Sequence, residues 1–294
     1  MKTSLLYFDD YHEPALRLAQ QLAITSQAIE VHRFPDGENR IRLPEPLSEH
    51  LIVCRSLPDP NNKLIELLLV ARTARELGVK QLTLVAPYLC YMRQDIAFHP
   101  GEAVSQRIIG GYLADLFDNL ITVDPHLHRI NHLHEAVPCK QAVAVSATRA
   151  LGEFLVSHHK PYILLGPDEE SRQWVSTIAK TGNFTYGVAN KTRFADKHVK
   201  VELPDIDVQQ AAVVLVDDMI STGHTMHEAA QQLFQQGATS VDCLVTHALF
   251  NEETQHLLST SGIGSIWSTD SISRADNIIH LDNILAEAIR DLSL

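Results

Sequence analysis

The densest concentration of reactive chemistry in the chain is a pair of carboxylates followed by small hydroxyl residues. Residues 213–225 read VVLVDDMISTGHT. The aliphatic run predicts a buried strand with Asp217 and Asp218 at its C-terminal end. A Ser-Thr-Gly-His-Thr turn follows, and the spacing then predicts a helix that opens at Met226 and stops at Gly237. In an open α/β sheet, ligands bind beyond the carboxyl ends of strands, where loops run into helix N-termini. Ser221, Thr222, Gly223 and Thr225 offer O–H and backbone N–H donors there, which suits a phosphate. Carboxylates just upstream would repel that phosphate, so they suit sugar hydroxyls or a bridging Mg²⁺. A lone Asp-Asp after a strand reads more simply as a solvated loop before an N-cap. Strand, diacid, hydroxyl turn and helix in one unbroken order favour a ribose-phosphate site instead.

Positioning such a site requires a framework, and strand-like and helical runs alternate along the whole chain. Helices are expected near residues 13–23, 61–77, 102–116, 146–158, 171–180, 252–258 and 283–292, with apolar strands such as LIVC, LTLVAPY, LITVDP and YILLGP between them. This alternation predicts parallel sheets covered by helices. It restarts after the middle of the chain, which implies two α/β domains, 1–144 and 145–294, joined near 143–147 and related by duplication. The polar, basic segment 191–201 (KTRFADKHVKV) is expected to form a loop or hairpin.

Bulk properties narrow the function. With 294 residues the chain has room for two domains of about 150 residues. A net charge of −12 argues against a general nucleic-acid binder, and no apolar run reaches membrane-spanning length. Acids as early as Asp9 exclude a secretory signal at the N-terminus, so a cytoplasmic location is expected. Cys54, Cys90, Cys139 and Cys243 are scattered without CxxC spacing and are expected to be buried free thiols. Four of the sixteen histidines fall in HLHRINHLHE, where a helix would put His128 and His132 on one face, but no Cys or Glu spacing supports a zinc site. There is no G-x-x-x-x-G-K-[ST] phosphate loop.

The diacid run resembles the phosphoribosyl diphosphate motif of the type I phosphoribosyltransferases. With it, the stretches HRFPDGENRIRL, PYLCYMRQDIAFHPGEAVS, DPHLH, GPDEES and NKTRF follow the order and spacing of the ribose-phosphate diphosphokinases, most closely the short archaeal-type branch. The resemblance implies two phosphoribosyltransferase-like domains and transfer of the diphosphoryl group of ATP to the C1 hydroxyl of ribose 5-phosphate, with Mg²⁺ as cofactor. It assigns Asp217 and Asp218 to the ribose hydroxyls and Ser221, Thr222, Gly223 and Thr225 to the 5-phosphate. Lys191 and Arg193 become the catalytic pair, since two cations on a mobile arm can neutralise charge on a transferring phosphoryl group. Arg93 and Gln94 match nucleotide contacts. Phe34, Asp36 and Glu38 match a loop that reaches the ATP of a neighbouring subunit, which implies a homo-oligomer. His126 and Asp168 match positions near the metal.

Departures point the other way. Glu169, Glu170 and Ser171 follow Pro-Asp where the family has small or basic residues, and His224 replaces the usual glycine of the phosphate loop. The N-terminal strand also ends in Phe8-Asp9-Asp10, where the family has small residues. Extra carboxylates beside a polyanionic substrate weaken binding unless they face solvent or a metal. They keep open a weakly catalytic regulatory relative, while the diacid motif alone also fits a phosphoribosyltransferase.

Overall fold

The computed structural model describes residues 2–195 and 198–292, and the side chains of 191–201 lie outside that description. The chain forms two compact units. One runs through Val145 and takes back Ser271–Ser273 and the segment from Leu281 onward; the other comprises Ser146–Asp270 and Arg274–His280. The C-terminal helix therefore belongs with the first unit, although by position in the chain it falls within 145–294.

The first unit contains β1 (Thr3–Tyr7), α1 (His12–Leu22), β2 (Thr25–Ala28), the hairpin β3 (Glu30–Arg33) and β4 (Asn39–Arg42), and β5 (His50–Cys54). It continues with α2 (Pro60–Glu76), β6 (Gln81–Val85), α3 (Ser105–Leu116), β7 (Asn119–Val123), α4 (Leu133–Ala136) and β8 (Gln141–Val145). The second unit has α5 (Thr148–Ser157), β9 (Tyr162–Gly166), α6 (Arg172–Gly182), β10 (Thr185–Val188), the hairpin β11 (Asn190–Ala195) and β12 (His198–Glu202), and β13 (Ala212–Ile220). It ends with α7 (His224–Gln235), β14 (Ser240–Ala248), α8 (Glu252–Thr260) and β15 (Ile263–Ser268), after which α9 (Asp282–Arg290) rejoins the first unit.

Both main sheets are parallel, with orders β2-β1-β5-β6-β7-β8 and β10-β9-β13-β14-β15. The second order repeats the first without its edge strand. In each, the first strand connects outward through a helix to the edge, a hairpin follows, and the chain returns beside the first strand before winding the other way. The order reverses between β1 and β5 and between β9 and β13, the crevice where open α/β sheets bind ligands. Matching backbone bonds mark the repeat: Ile29 N–H donates to Tyr7 O at 2.8 Å, and Ala189 N–H donates to Gly166 O at 2.9 Å.

Burial follows the sequence pattern. β5 and β7 are buried at every position, as central parallel strands covered on both faces should be. Each unit has its own core. Leu51, Val53, Leu67 and Leu84 contribute to the first, and Val213, Leu215, Ala229 and Val245 to the second. All four cysteines are buried free thiols, as expected, and burial pushes Cys90 up to about 12. Among the described residues no helix is long and apolar enough to cross a membrane.

Two local expectations differ from the structure and a third is met. β8 forms where only a domain joint is expected. Its residues Gln141–Val145 read QAVAV, a short run of small apolar side chains that stays largely half-exposed at the edge of the sheet. No helix spans the histidine-rich stretch: His132 only caps the short α4, so His128 and His132 do not share a helical face. Residues 190–195 and 198–202 pair as the arms of a hairpin, one of the two forms expected, with Lys191 opposite Val201 and Arg193 opposite Val199.

Candidate active site

In the second unit, β13 pairs with β9 only from Ala212 to Leu215, yet it stays paired with β14 as far as Ile220. Its last four residues therefore run past the end of β9 and form one wall of the crevice. Asp217 and Asp218 lie in this extension rather than after the strand, and Asp218 is 3 % exposed. The Asp218 N–H donates to Asp217 Oδ1 at 2.9 Å. Asp217 keeps partial solvent access, but burial and the Asp218 and Asp168 carboxylates push it well above the usual carboxylate range. A nearby cation or ribose hydroxyl donors would relieve that repulsion.

Asp168 comes from the opposite wall, just after β9. It caps a short 3-10 turn, accepting the Ser171 N–H at 3.4 Å, while Ser171 Oγ–H donates to Asp168 O at 2.5 Å. Gly166 permits this approach, because a Cβ there would stand 2.1 Å from Ser171 Oγ. The neighbouring departures, Glu169 and Glu170, lie at the surface. Glu169 is exposed and forms a two-pronged ion pair with Arg172, and Glu170 is exposed. The Arg172 bonds hold Glu169 below the usual carboxylate range.

The hydroxyl turn closes the floor of the crevice. α7 begins at His224, two residues earlier than the spacing predicts, with Gly223 as its N-cap at φ 74°. That left-handed conformation favours glycine, and a Cβ would also meet Thr254 Cγ2 at 2.8 Å. No side chain caps α7, so its first-turn N–H groups are not claimed by a capping residue. Thr254 on α8 donates to Ser221 O at 3.4 Å, bracing the turn from behind. Ser221, Thr222, Gly223 and Thr225 thus lie together, just beyond the diacid on the same strand-turn-helix unit.

The first unit carries the remaining candidates, apart from Lys191 and Arg193. Phe34, Asp36 and Glu38 occupy the exposed tip between β3 and β4. The tip is closed by the Phe34 N–H to Glu38 O bond at 2.8 Å and by the Glu38 N–H to Asp36 Oδ1 bond at 3.1 Å. The Phe34 ring, 41 % exposed, stands edge-on to His32. Arg93 and Gln94 lie in the long loop after β6. Ser105 Oγ–H donates to Gln94 Oε1 at 2.6 Å, which ties this loop to the start of α3. Asp95 pairs with Arg129 at 2.6 Å, and this draws the loop toward the segment after β7 that holds His126. Burial alone would raise Asp95, but the Arg129 bond and charge hold it below the usual range. His126 packs directly against His128. Lys191 and Arg193 lie on β11, with side chains outside the described residues.

Asp168, Asp217 and Asp218 are hard oxygen donors, the chemistry a Mg²⁺ ion takes, and their mutual repulsion is what a divalent cation would offset. Imidazole suits softer ions, so His126 fits Mg²⁺ less well than Asp168 does. Sequence reasoning missed Asp95, Arg129 and Ser105. They act by holding the loops, and no spacing in the chain marks them.

Two doubly wound parallel sheets, one carrying a diacid and a hydroxyl turn at its switch point, define a protein of the phosphoribosyltransferase type. Residues 4–116 match the N-terminal domain of ribose phosphate pyrophosphokinase, and residues 138–258 match the phosphoribosyl transferase domain. The ribose-phosphate pyrophosphokinase of Methanopyrus kandleri is 35% identical over 281 residues, covering 94% of this chain and 95% of that protein. The Methanosarcina acetivorans ribose-phosphate pyrophosphokinase is 31% identical, covering 95% and 96%. The crystal structure of phosphoribosylpyrophosphate synthetase from Mycobacterium smegmatis shares the fold with a TM-score of 0.84, covering 99% of this chain and 98% of that one at 23% identity. The chain belongs to the ribose-phosphate pyrophosphokinase family.

Proposed function

We propose that the chain transfers the β,γ-diphosphoryl group of ATP to the C1 hydroxyl of ribose 5-phosphate, giving phosphoribosyl diphosphate and AMP. The observation that carries this reading is the full-length relationship to the pyrophosphokinases, in a chain that keeps a complete diacid and hydroxyl turn at one switch point. Ser221, Thr222 and Thr225, with the N–H groups at the start of α7, hold the 5-phosphate. Asp217 and Asp218 accept from the ribose hydroxyls and so orient C1. Positioning of this kind, together with neutralisation of developing charge, is most of what phosphoryl transfer asks of a protein. Lys191 and Arg193 supply the neutralisation from β11. Arg93 and Gln94 bind the nucleotide, and Phe34, Asp36 and Glu38 hold the adenine of an ATP on a neighbouring copy, so the active form is a homo-oligomer. Mg²⁺ held near Asp168 and His126 would offset phosphate charge. A cytoplasmic enzyme fits a chain whose cysteines are all free.

Asp217 must be ionised to accept ribose hydroxyls well, and a cation beside it favours that form. The regulatory reading rested on Glu169 and Glu170; the Arg172 pair answers the Glu169 part of that objection. Incubating the purified chain with ATP, Mg²⁺ and ribose 5-phosphate tests the proposal. AMP and phosphoribosyl diphosphate should form in equal amounts. ADP instead of AMP, or no turnover, would refute it.

A further inference from the structure

Glu66 is fully buried on α2, lies outside every motif of the sequence, and joins three elements of the first unit. Its Oε1 accepts a hydrogen bond from Asn39 Nδ2 at 2.8 Å and lies 3.9 Å from Arg33 Nη2. Arg33 and Asn39 are the facing pair that closes β3 and β4 just before the tip. One carboxylate oxygen therefore grips both strands at the base of the loop that carries Phe34, Asp36 and Glu38.

The other oxygen is held from below. Glu66 Oε2 meets Arg55 Nη1 at 2.5 Å, a charge contact in which neither atom has an aligned hydrogen-bond partner. Arg55 is 2 % exposed, forms an ion pair with Asp10 at 3.3 Å, and stacks over Phe8 at 3.7 Å from the ring centroid. Lys63, one turn before Glu66 on α2, completes the cluster with a 2.8 Å pair to Asp10 and a 3.0 Å bond to Ser56 O. A buried carboxylate tied to a buried guanidinium is a rigid anchor, because moving either partner alone strands a charge. The hairpin pairs at four positions, and the anchor acts on the last of them, Arg33 with Asn39, where the strands hand over to the tip.

We infer that Glu66, through Asn39 and Arg33, is a positioning residue that sets the 34–38 tip for nucleotide binding. The inference rests on the reading of that tip as an ATP contact. A binding group displaced by about 1 Å costs up to about a hundredfold in activity, so the anchor matters although it touches no substrate.

The test uses the full chain in its native assembly and compares Asn39→Ala with Glu66→Gln. Asn39→Ala cuts the link but leaves the buried pair intact. It should raise KM for ATP about tenfold, leave KM for ribose 5-phosphate and the melting temperature nearly unchanged, and speed amide exchange at the tip. Glu66→Gln keeps the oxygen that accepts from Asn39 and weakens the Arg55 pair. It should lower the melting temperature while KM for ATP stays near wild type. Unchanged tip exchange in Asn39→Ala would overturn the anchor. Faster exchange with unchanged KM for ATP would overturn the tip as an ATP contact, and the positioning role with it. KM changes that track melting temperature in both variants would reduce Glu66 to a stability residue.

Discussion

The two units repeat one topology and put opposite electrostatics at the same place. Ala212 starts β13 opposite Tyr162 as His50 starts β5 opposite Thr3, so Asp217 occupies the position of Arg55 and Asp218 that of Ser56. In the first unit this position is spent internally: Arg55 is buried between Glu66 and Asp10 and covers Phe8. In the second unit, among the described residues, burial and the Asp218 and Asp168 carboxylates push Asp217 up, and the Asp218 N–H bond acts against them. The hairpins repeat as well. Arg33 faces Asn39 and Arg193 faces Val199, with the same spacing between partners. The first crevice satisfies its own charges and is a structural joint. The second gathers carboxylates among its described residues, which is the condition for binding a ligand that supplies the complement.

The largest expected effect tests the hairpins. Lys191→Ala should lower turnover by about a thousandfold with little change in substrate binding, because the contact strengthens in the transition state. The matching change in the first unit, Val31→Ala, should leave turnover within about threefold, since Val31 carries no charge to lose. Equal losses from the two variants would erase the distinction between the units. Steady-state kinetics on both decide it.

Removing Arg55 probes the opposite side of the comparison. Arg55→Met leaves Glu66 buried without its partner and should destabilise the chain by about 3–5 kcal/mol in denaturant unfolding. Calorimetric affinity for ribose 5-phosphate should not change. A loss of sugar-phosphate affinity at unchanged stability would mean that the first crevice binds ligand after all.

Thr225→Val is expected to act more weakly and only in the second unit. It removes a phosphate donor at constant volume and should weaken ribose 5-phosphate binding about tenfold, leaving ATP binding unaltered. Equal losses for both ligands in separate titrations would make the turn structural.

The smallest effect concerns pH. The Asp217 carboxyl is raised in the folded chain, so the folded form favours the proton. Its contribution to stability is present below the unfolded carboxyl range and is lost as pH rises through the folded value. Asp217→Asn should therefore melt a few degrees above wild type at neutral pH, by the scale of about 2–4 °C per kcal/mol, and the gain should shrink on acidification. A gain that persists at pH 4 would assign it to something other than charge.

The second unit's site was legible because its parts are contiguous: strand, diacid, turn and helix follow one another between Val213 and Gln235. The first unit hides its logic. Asp10, Arg55 and Glu66 come from separate segments, and nothing in LIVCRS or LIELLL marks a buried ion pair. The histidine-rich stretch misleads for a similar reason. A helical spacing is present, but Asp124 adopts φ 36° and the chain leaves β7 as a loop. β8 and the return of α9 to the first unit were also missed, the one because a short run of small side chains at a sheet edge is a weak strand signal and the other because packing partners far apart in sequence leave no local trace.

By itself the sequence determined what local chemistry can determine. Alternating apolar periods dictate parallel sheets under helices, and the glycine and hydroxyls after Asp218 dictate a turn that can hold phosphate. The tertiary structure decided the electrostatics at two equivalent positions. That depends on whether the charge at the end of the central strand meets a buried counter-charge from a distant helix, as Arg55 meets Glu66, or other carboxylates, as Asp217 does. Coulomb interactions in a buried site act over distances in space, and only the fold sets those distances.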